Sequence, residues 1–326
     1  MSKDTVLNVY RPGVSPYQNQ KFKEWEKESL EKIEGIRYLN TLEEGDAQIL
    51  LTNTHFRPRE EITHQDQKIE GIRLIIHPNS GYDNFQKDFI NESRIPIILG
   101  NPIRAHAVSN YILSAIFERE SHIPNESSWN KNRIWDRSLL CQKTVAIIGL
   151  GHIGSIIKKS LKPLVSDLIV FDPFKGFPSI EEGPIEKADI VILSCSLNEK
   201  NIGFIDEKVL KKMKKDVLLI NPSRGKLINE NHLINFLEKY PQAFAFLDVF
   251  EKEPLSFEKF SHLKNIKLSS HIAGVFKELD QYIIKFEENI LRSYVAAFRK
   301  NDTESLWSGP FKDLLLQNKI HDGLIT

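Results

Sequence analysis

Three residues whose side chains suit proton transfer and anion binding each follow an apolar run in the second half of the chain. Arg224 follows LLINPS, Glu253 lies in DVFEKEP and His271 ends IKLSSH. A guanidinium can bind a carboxylate through two parallel hydrogen bonds, and an imidazole can exchange a proton near neutral pH. A carboxylate hydrogen-bonded to that imidazole favours its protonated, proton-donating form. The set predicts a site that binds an acid and moves a proton.

Each residue also has an ordinary structural interpretation. Arg224 could be a surface turn residue, Glu253 an exposed loop acid and His271 a hydrogen-bonded structural histidine. The combination favours function, because open α/β sheets bind their ligands at the carboxyl ends of the strands.

The segment TVAIIGLGHIG, residues 144–154, predicts a strand that runs into a nucleotide-binding turn and then a helix. Gly149 permits the tight turn, Gly151 lets backbone amides approach a pyrophosphate, and Gly154 lets the helix pack close to the strand. Asp172 ends a second apolar run 23 residues beyond Gly149. A carboxylate there can accept the ribose hydroxyls of NAD and would repel the extra phosphate of NADP. The alternative is an ordinary strand–turn–helix connection.

Composition narrows the class of protein. The 326 residues are enough for about two domains. Lys+Arg and Asp+Glu both number 44, so no broad field favours nucleic acid or an anionic membrane surface. Cys141 and Cys195 lie far apart and outside any C-x-x-C pattern, which predicts neither a disulfide framework nor a metal site. The N-terminal segment lacks the apolar core of a signal peptide, and no run approaches the ~20 residues of a membrane span. We expect a cytoplasmic protein.

Apolar runs alternate with helical patterns on both sides of the glycine turn. Those before it predict a small parallel α/β unit, at residues 6–10, 36–39, 48–52, 72–77 and 97–99. Those after Asp172 complete a doubly wound domain, at ADIVILSCS, DVLLINPSRG, AFAFLDVF and IKLSSHIAG. Helices are predicted over 21–34 and 105–119, and a long amphipathic helix over 276–300 is expected to return to the first unit.

The motifs GLGHIG with Asp172, INPSRG, DVFEKEP, SSHIAG and an earlier NSGYDN loop resemble, in order and spacing, the D-isomer-specific 2-hydroxyacid dehydrogenases. The resemblance covers most of the chain. It implies an α/β fold with a Rossmann NAD-binding domain, 103–274, and a flavodoxin-like substrate (catalytic) domain, 1–102 and 275–326. Both would have parallel sheets, joined across a hinged cleft, and the protein would be a homodimer.

The resemblance also assigns roles to residues. It makes His271 the general acid and base, Glu253 its partner, and Arg224 the group that orients the substrate carboxylate and polarises its keto oxygen. The backbone amides of Asn79, Ser80 and Gly81 would hold that carboxylate. Asp248 would lie near the nicotinamide amide, and the other residues that match positions lining NAD are Gly149, Gly151, His152, Ile153, Gly154, Asp172, Cys195, Pro222, Ser223 and Gly274.

The chain departs from the family pattern near the expected cleft. Where relatives often read P-G-x-N-A, it has Asn101, Pro102, Ile103, Arg104 and Ala105. As a hypothesis, Arg104 is a substrate-binding residue that adds a positive charge and favours a second acidic group on the substrate. The alternative is that Arg104 points into solvent.

The sequence therefore predicts an NAD-dependent oxidoreductase that moves a hydride between the cofactor and a small 2-oxo or 2-hydroxy acid. A different class of protein on the same fold is the alternative, an NAD(H)-sensing binding protein like the family's corepressor members. The intact Arg224, Glu253 and His271 argue against that alternative. Another Rossmann dehydrogenase with a different substrate domain is disfavoured by the NSGYDN and HIAG segments.

Overall fold

The computed structural model describes residues 6–15, 18–57, 71–125, 129, 131, 132 and 135–317. Within them the chain forms two compact units, which are the described residues of Met1–Arg104 with Phe276–Ile325, and those of Ala105–Val275. The sequence predicts the division after residues 102 and 274 instead, and residues 318–326 of that prediction lie outside the described part. Which unit binds which ligand stays a prediction.

The first unit is built on a five-stranded parallel sheet. Its strands are β1 (Leu7–Tyr10), β2 (Ile36–Leu39), β3 (Ile49–Leu51), β4 (Leu74–His77) and β5 (Ile97–Leu99). They lie in the order β2-β1-β3-β4-β5, which is the flavodoxin-like order of doubly wound sheets. Each strand coincides with a predicted apolar run, because strands of a parallel sheet are buried on both faces and therefore read as continuous hydrophobic stretches.

Helices cover both faces of this sheet. They are α1 (Phe22–Leu30), α2 (Lys87–Glu92), the first residues of α3 (Asn101–Glu120), and, at the end of the chain, α7 (Leu279–Arg299) and α8 (Glu304–Ser308). Side chains from α1 and α7, such as Leu30, Ile290 and Leu291, pack with Val9 and Ile76 in one core. The predicted return of the last long helix to the first unit is thus observed. Among the described helices, none has the length and apolar composition to cross a bilayer.

A buried ionic cluster links β1 to α1 and α7. The guanidinium of Arg11 donates to both oxygens of Glu26 at 2.8 Å and to Glu287 Oε1 at 2.5 Å, and all three side chains are fully buried. The hydroxyl of Tyr38 donates to Glu26 Oε2 at 2.6 Å. Burial, together with the charge of Glu26, raises the pKa of Glu287 well above its usual range, against the opposing effect of Arg11. One arginine therefore compensates two buried carboxyl groups.

The second unit is built on a six-stranded parallel sheet. Its strands are β6 (Thr144–Ile148), β7 (Asp167–Phe171), β8 (Ile190–Leu193), β9 (Leu218–Asn221), β10 (Phe244–Leu247) and β11 (Ile266–Leu268), in the order β11-β10-β9-β8-β6-β7. All six are predicted by the sequence. The strand order reverses beside β6, whose neighbours are β7 and β8, and ligands of doubly wound folds bind at such a reversal. The predicted α/β class with two parallel sheets is confirmed.

Alternate residues of each central strand supply the two cores of this unit. In β6, Val145 and Ile147 pack on one face, with the body of α3 and with α4 (His152–Leu161). Ala146 and Ile148 pack on the other, with α5 (Glu207–Lys212) and α6 (Glu230–Lys239). This alternation fixes the direction in which each strand end points.

We expect Arg11→Met to lower the free energy of unfolding by about 3–5 kcal/mol, because it leaves two carboxyl groups buried without their cation. Urea denaturation measures the change. The matched control is Arg299→Met, which removes a surface ion pair with Glu34 at 3.1 Å in the same unit and should cost about 0–1 kcal/mol. Equal losses in the two variants would contradict the role of the buried cluster.

Candidate active site

The predicted glycine turn lies between β6 and α4, at the reversal of the strand order. Gly149 has φ of 93°, and a Cβ there would lie 2.6 Å from the backbone of Cys195. A Cβ on Gly154 would lie 2.1 Å from the carbonyl oxygen of Gly149, whereas a Cβ on Gly151 would meet nothing within 4 Å. Helix α4 begins at His152 without a side-chain cap. The turn is therefore closely packed at Gly149 and Gly154 and open at Gly151. The first amides of α4 are available to a phosphate, so the turn fits a dinucleotide.

Asp172 follows β7 and connects it to the glycine turn. Its Oδ2 accepts a hydrogen bond of 2.7 Å from the backbone N–H of Leu150, and the residue is 8% exposed. One carboxylate oxygen thus holds the turn in place. The second oxygen has no hydrogen bond to the described residues, so it remains available to a ribose hydroxyl.

The other predicted cofactor-binding residues lie around the same strand ends. His152 and Ile153 open α4, Cys195 follows β8, Pro222 and Ser223 follow β9, and Gly274 follows the His271 turn. Burial raises the pKa of the Cys195 thiol to about 12, so the thiol is uncharged and suited to apolar contact rather than to nucleophilic chemistry. The described residues hold no cluster of three metal-ligating side chains.

The predicted histidine and glutamate form a hydrogen-bonded pair. His271 Nδ1 lies 2.7 Å from Glu253 Oε2, and the imidazole is 51% exposed. Glu253 Oε1 accepts the backbone N–H of Phe250 at 2.9 Å. Burial alone would raise the pKa of Glu253, but the hydrogen bonds from His271 and Phe250 and the charges of His271 and Arg224 together lower it. Glu253 is therefore an anion at neutral pH, Nδ1 carries a proton, and Nε2 faces away from the pair.

Asp248 fixes the turn that carries His271. Its carboxylate is fully buried and accepts the hydroxyl of Ser269 at 2.6 Å and the backbone amides of Ile272 and Ala273, each at 2.8 Å. The N–H of His271 donates to the Asp248 carbonyl at 2.7 Å, and His271 takes φ of 56°. Positive φ is uncommon for a residue with a side chain and persists where the surroundings impose it. In the structure, Asp248 holds the turn that carries His271 in place. Contact of Asp248 with a nicotinamide stays a prediction.

Arg224 lies in a turn that is held against the Glu253 loop. The side chain of Asn221, at the end of β9, accepts the N–H of Ser223 and donates to the carbonyl of Arg224. A Cβ on Gly225 would lie 1.8 Å from the carbonyl carbon of Phe250. The absence of that Cβ lets the Arg224 turn rest on the segment whose amide binds Glu253. The structure therefore brings Arg224, Glu253 and His271 together in one unit.

The predicted carboxylate loop, Asn79 to Gly81, lies in the other unit directly after β4. A residue that the sequence analysis missed holds it. His77 Nε2 lies 2.9 Å from the Gly81 carbonyl, and Nδ1 lies 2.9 Å from the hydroxyl of Thr52. Since a carbonyl only accepts, Nε2 is the protonated nitrogen. Burial lowers the pKa of His77 to about 4, so the ring is neutral. The available signal was a polar residue that ends an apolar run immediately before a turn.

Arg104 also lies beside this loop. Its Nη1 donates to the carbonyl of Pro78 at 2.6 Å, and the side chain is partly buried. The guanidinium therefore does not simply point into solvent, which was the alternative interpretation. Contact of Arg104 with a substrate stays a prediction.

Comparison with known proteins finds a family match within the second unit. Residues 113–273 match the model of the D-isomer specific 2-hydroxyacid dehydrogenase, NAD binding domain. The chain is 26% identical over 272 residues to hydroxypyruvate reductase of Blautia hydrogenotrophica, covering 77% of this chain and 83% of that protein. It is 29% identical over 225 residues to D-3-phosphoglycerate dehydrogenase of Bacillus subtilis, covering 65% of this chain and 43% of that protein.

The solved structures are similar in fold at lower identity. The structure of D-lactate dehydrogenase from Aquifex aeolicus, complexed with NAD and lactic acid, matches with a TM-score of 0.69 at 18% identity, over 95% of this chain and 99% of that chain. At that identity the likeness establishes the fold, which agrees with the strand orders given above.

We expect Asp172→Ala to raise the Kd for NADH about tenfold or more, because it removes a charged acceptor for the ribose and the anchor of Leu150. The Kd for NADPH should rise less, since the same change removes repulsion of the 2′-phosphate. Titration of cofactor fluorescence measures both constants. Asp167→Ala, an exposed acid at the start of the same strand, is the control. An unchanged ratio of the two Kd values would contradict the assignment.

Proposed function

We propose, from the premise that residues 113–273 belong to the D-isomer specific 2-hydroxyacid dehydrogenase family as its NAD-binding domain, that this chain interconverts a small 2-oxo acid and its D-2-hydroxy acid with NAD(H). The observation that carries the proposal is the His271–Glu253 pair. It lies at strand ends of the same sheet that carries the glycine turn. When bound, NADH supplies a hydride, which NAD⁺ takes back in the reverse reaction.

Substrate binding is assigned to Arg224 and to the Asn79–Gly81 loop. A guanidinium can donate in parallel to a carboxylate and to the neighbouring keto oxygen, which orients the acid and polarises the carbonyl. The backbone amide of Asn79 already donates to the carbonyl of His77 at 2.7 Å. The loop would therefore bind the carboxylate through the amides of Ser80 and Gly81. Its support by neutral His77 keeps those amides at fixed positions without introducing a charge that titrates near neutral pH.

Proton transfer is assigned to His271. In reduction, carbon C2 of the 2-oxo acid receives the hydride and its oxygen receives a proton, so a proton donor must lie beside that oxygen. Since Nδ1 of His271 is engaged with Glu253, Nε2 is the atom that would donate the proton and take it back in oxidation. The hydrogen bonds of Asp248 hold the backbone of this turn, and the bond from Nδ1 to Glu253 orients the ring.

The first experiment measures NADH oxidation by absorbance against glyoxylate, hydroxypyruvate, pyruvate, oxaloacetate, 2-oxoglutarate, branched-chain 2-oxo acids and phosphohydroxypyruvate, with NADPH for comparison. Turnover of at least one acid is expected. Binding of NADH without turnover of any acid would instead favour the NAD(H)-sensing protein.

We expect His271→Asn to lower kcat for reduction by about 10²–10⁴, because the proton donor is lost. Asparagine tolerates positive φ, so the turn is kept, and NADH binding should persist. The matched control is His262→Asn, which removes an exposed histidine paired with Glu238 at 3.0 Å in the same unit. Near-normal kcat in His271→Asn would overturn the role of His271.

The pH profile tests Glu253. Its pKa lies below the ordinary 4.5, so the carboxylate stays ionised above that value and loses its charge only as the pH falls through the lowered pKa. We expect kcat/KM for reduction to hold from pH 7 down to about 5. In Glu253→Gln no carboxylate titrates at this position, so the decline in kcat/KM below about pH 5 that protonation of Glu253 causes in the wild type should be absent. Glu238→Gln is the control, and identical profiles for the wild type and Glu253→Gln would contradict the pairing.

A further inference from the structure

Arg104 is a partly buried cation with little compensation. Its guanidinium has five N–H donors, of which one bond, to the Pro78 carbonyl, is found among the described residues. No carboxylate of the described residues lies within 4.0 Å of it. Burial lowers the pKa of Arg104 to about 10, and the charge of Asp280 offsets only part of that effect. Nearby His77 is neutral for the reason given above, so its ring adds no positive charge beside Arg104.

Asn101 is a second donor without an acceptor. The residue is 6% exposed, and its Nδ2 has no hydrogen-bond partner among the described residues. Buried amide groups are nearly always hydrogen-bonded, and an orphaned donor is costly. An unpaired buried amide and a cation with little compensation are both donors that suit an anion.

The helix brings these two donors together. Asn101 and Arg104 are three residues apart in the first turn of α3, and residues at that spacing lie on the same helix face. The start of α3 is a region of positive partial charge, with backbone amides that lack helical partners. A Cβ on Gly100 would lie 2.4 Å from the carbonyl carbon of Pro78, so the helix start is seated against the residue that precedes the Asn79–Gly81 loop.

We propose that Asn101 and Arg104 form a second anion-binding subsite beside the Asn79–Gly81 loop, and that the substrate is a 2-oxo acid with a second anionic group, a carboxylate or a phosphate. The inference rests on the proposed function, since that loop is the part assigned to the carboxylate next to the keto group. An anion that bridges Arg104 and the amide of Asn101 would satisfy both donors at once. A neutral side chain on the substrate would leave both unsatisfied.

The kinetic test compares kcat/KM for oxaloacetate and phosphohydroxypyruvate with kcat/KM for hydroxypyruvate. The wild type should favour at least one of the two dianions by tenfold or more, and which one is favoured separates a carboxylate from a phosphate subsite. In Arg104→Met that preference should fall about 10- to 100-fold, the loss expected for one charged hydrogen-bonded contact. Arg37→Met removes an exposed charge from β2 of the same unit and should keep the preference.

The substitution Asn101→Asp tests the subsite without creating a cavity in the protein. The new carboxylate is nearly the same size, suits the start of a helix and lies beside Arg104, so it would occupy the subsite from within. We expect a higher Tm together with loss of the preference for dianions. A purely structural role for the two residues would change Tm and leave the ratio of kcat/KM values unaltered.

A binding measurement separates this inference from the proposed function. Malonate and 2-phosphoglycolate, with acetate as the monoanion, are compared by the shift in Tm of the wild type and Arg104→Met. Stabilisation by a dianion that depends on Arg104, without turnover of any 2-oxo acid, would refute the proposed function and keep the subsite. Turnover without preference for dianions, or equal loss for mono- and dianions in Arg104→Met, would overturn the subsite and keep the function.

Discussion

The position of His271 in the second unit depends on the buried carboxylate of Asp248. A charge removed from water is tolerated only where donors surround it, and here three donors come from Ser269, Ile272 and Ala273. Those donors all lie in the turn around His271, so the hydrogen bonds that satisfy the buried charge also hold the residue that carries the imidazole. The turn places His271 in the left-handed region of backbone conformation. The hydroxyl of Tyr111 lies 2.8 Å from the hydroxyl of Ser269, which links the turn to α3.

The same device recurs at other strand ends. Asp172 after β7 binds the amide of Leu150, Asn221 at the end of β9 binds the Arg224 turn, and His77 at the end of β4 binds Gly81. In each case a buried polar side chain at the carboxyl end of a parallel strand bonds the backbone of a turn. Because the sheet fixes the strand, the hydrogen bond from the strand end also fixes the position of the turn. Each of these turns is thereby tied to a strand end by a hydrogen bond.

Much of this could be predicted from the sequence. The strands of both sheets were visible because buried parallel strands are continuous apolar runs, and the glycine turn, Arg224, Glu253 and His271 were visible because their types and order are restrictive. The sequence did not predict which side chains would be hydrogen-bonded to which turns. His77 is indistinguishable in sequence from the end of an apolar run, and the full burial of Asp248 depends on residues more than 20 positions away. The start of α3 at Asn101 rather than 105 was hidden by Pro102, although proline is compatible with the first turn of a helix.

The state of the hydrogen bonds separates groups that position from groups that bind. Both ring nitrogens of His77 are hydrogen-bonded within the protein, which leaves that ring no polar atom for a ligand, and Asp248 accepts three hydrogen bonds from the turn around His271. His271 Nε2, one oxygen of Asp172, Nδ2 of Asn101 and most of the Arg104 guanidinium have no hydrogen bond to the described residues. Unused donors and acceptors in buried positions lower stability, so those of Asp172 and Asn101 are better explained by ligands than by folding. On this criterion both units carry binding groups, each supported by hydrogen-bonded neighbours.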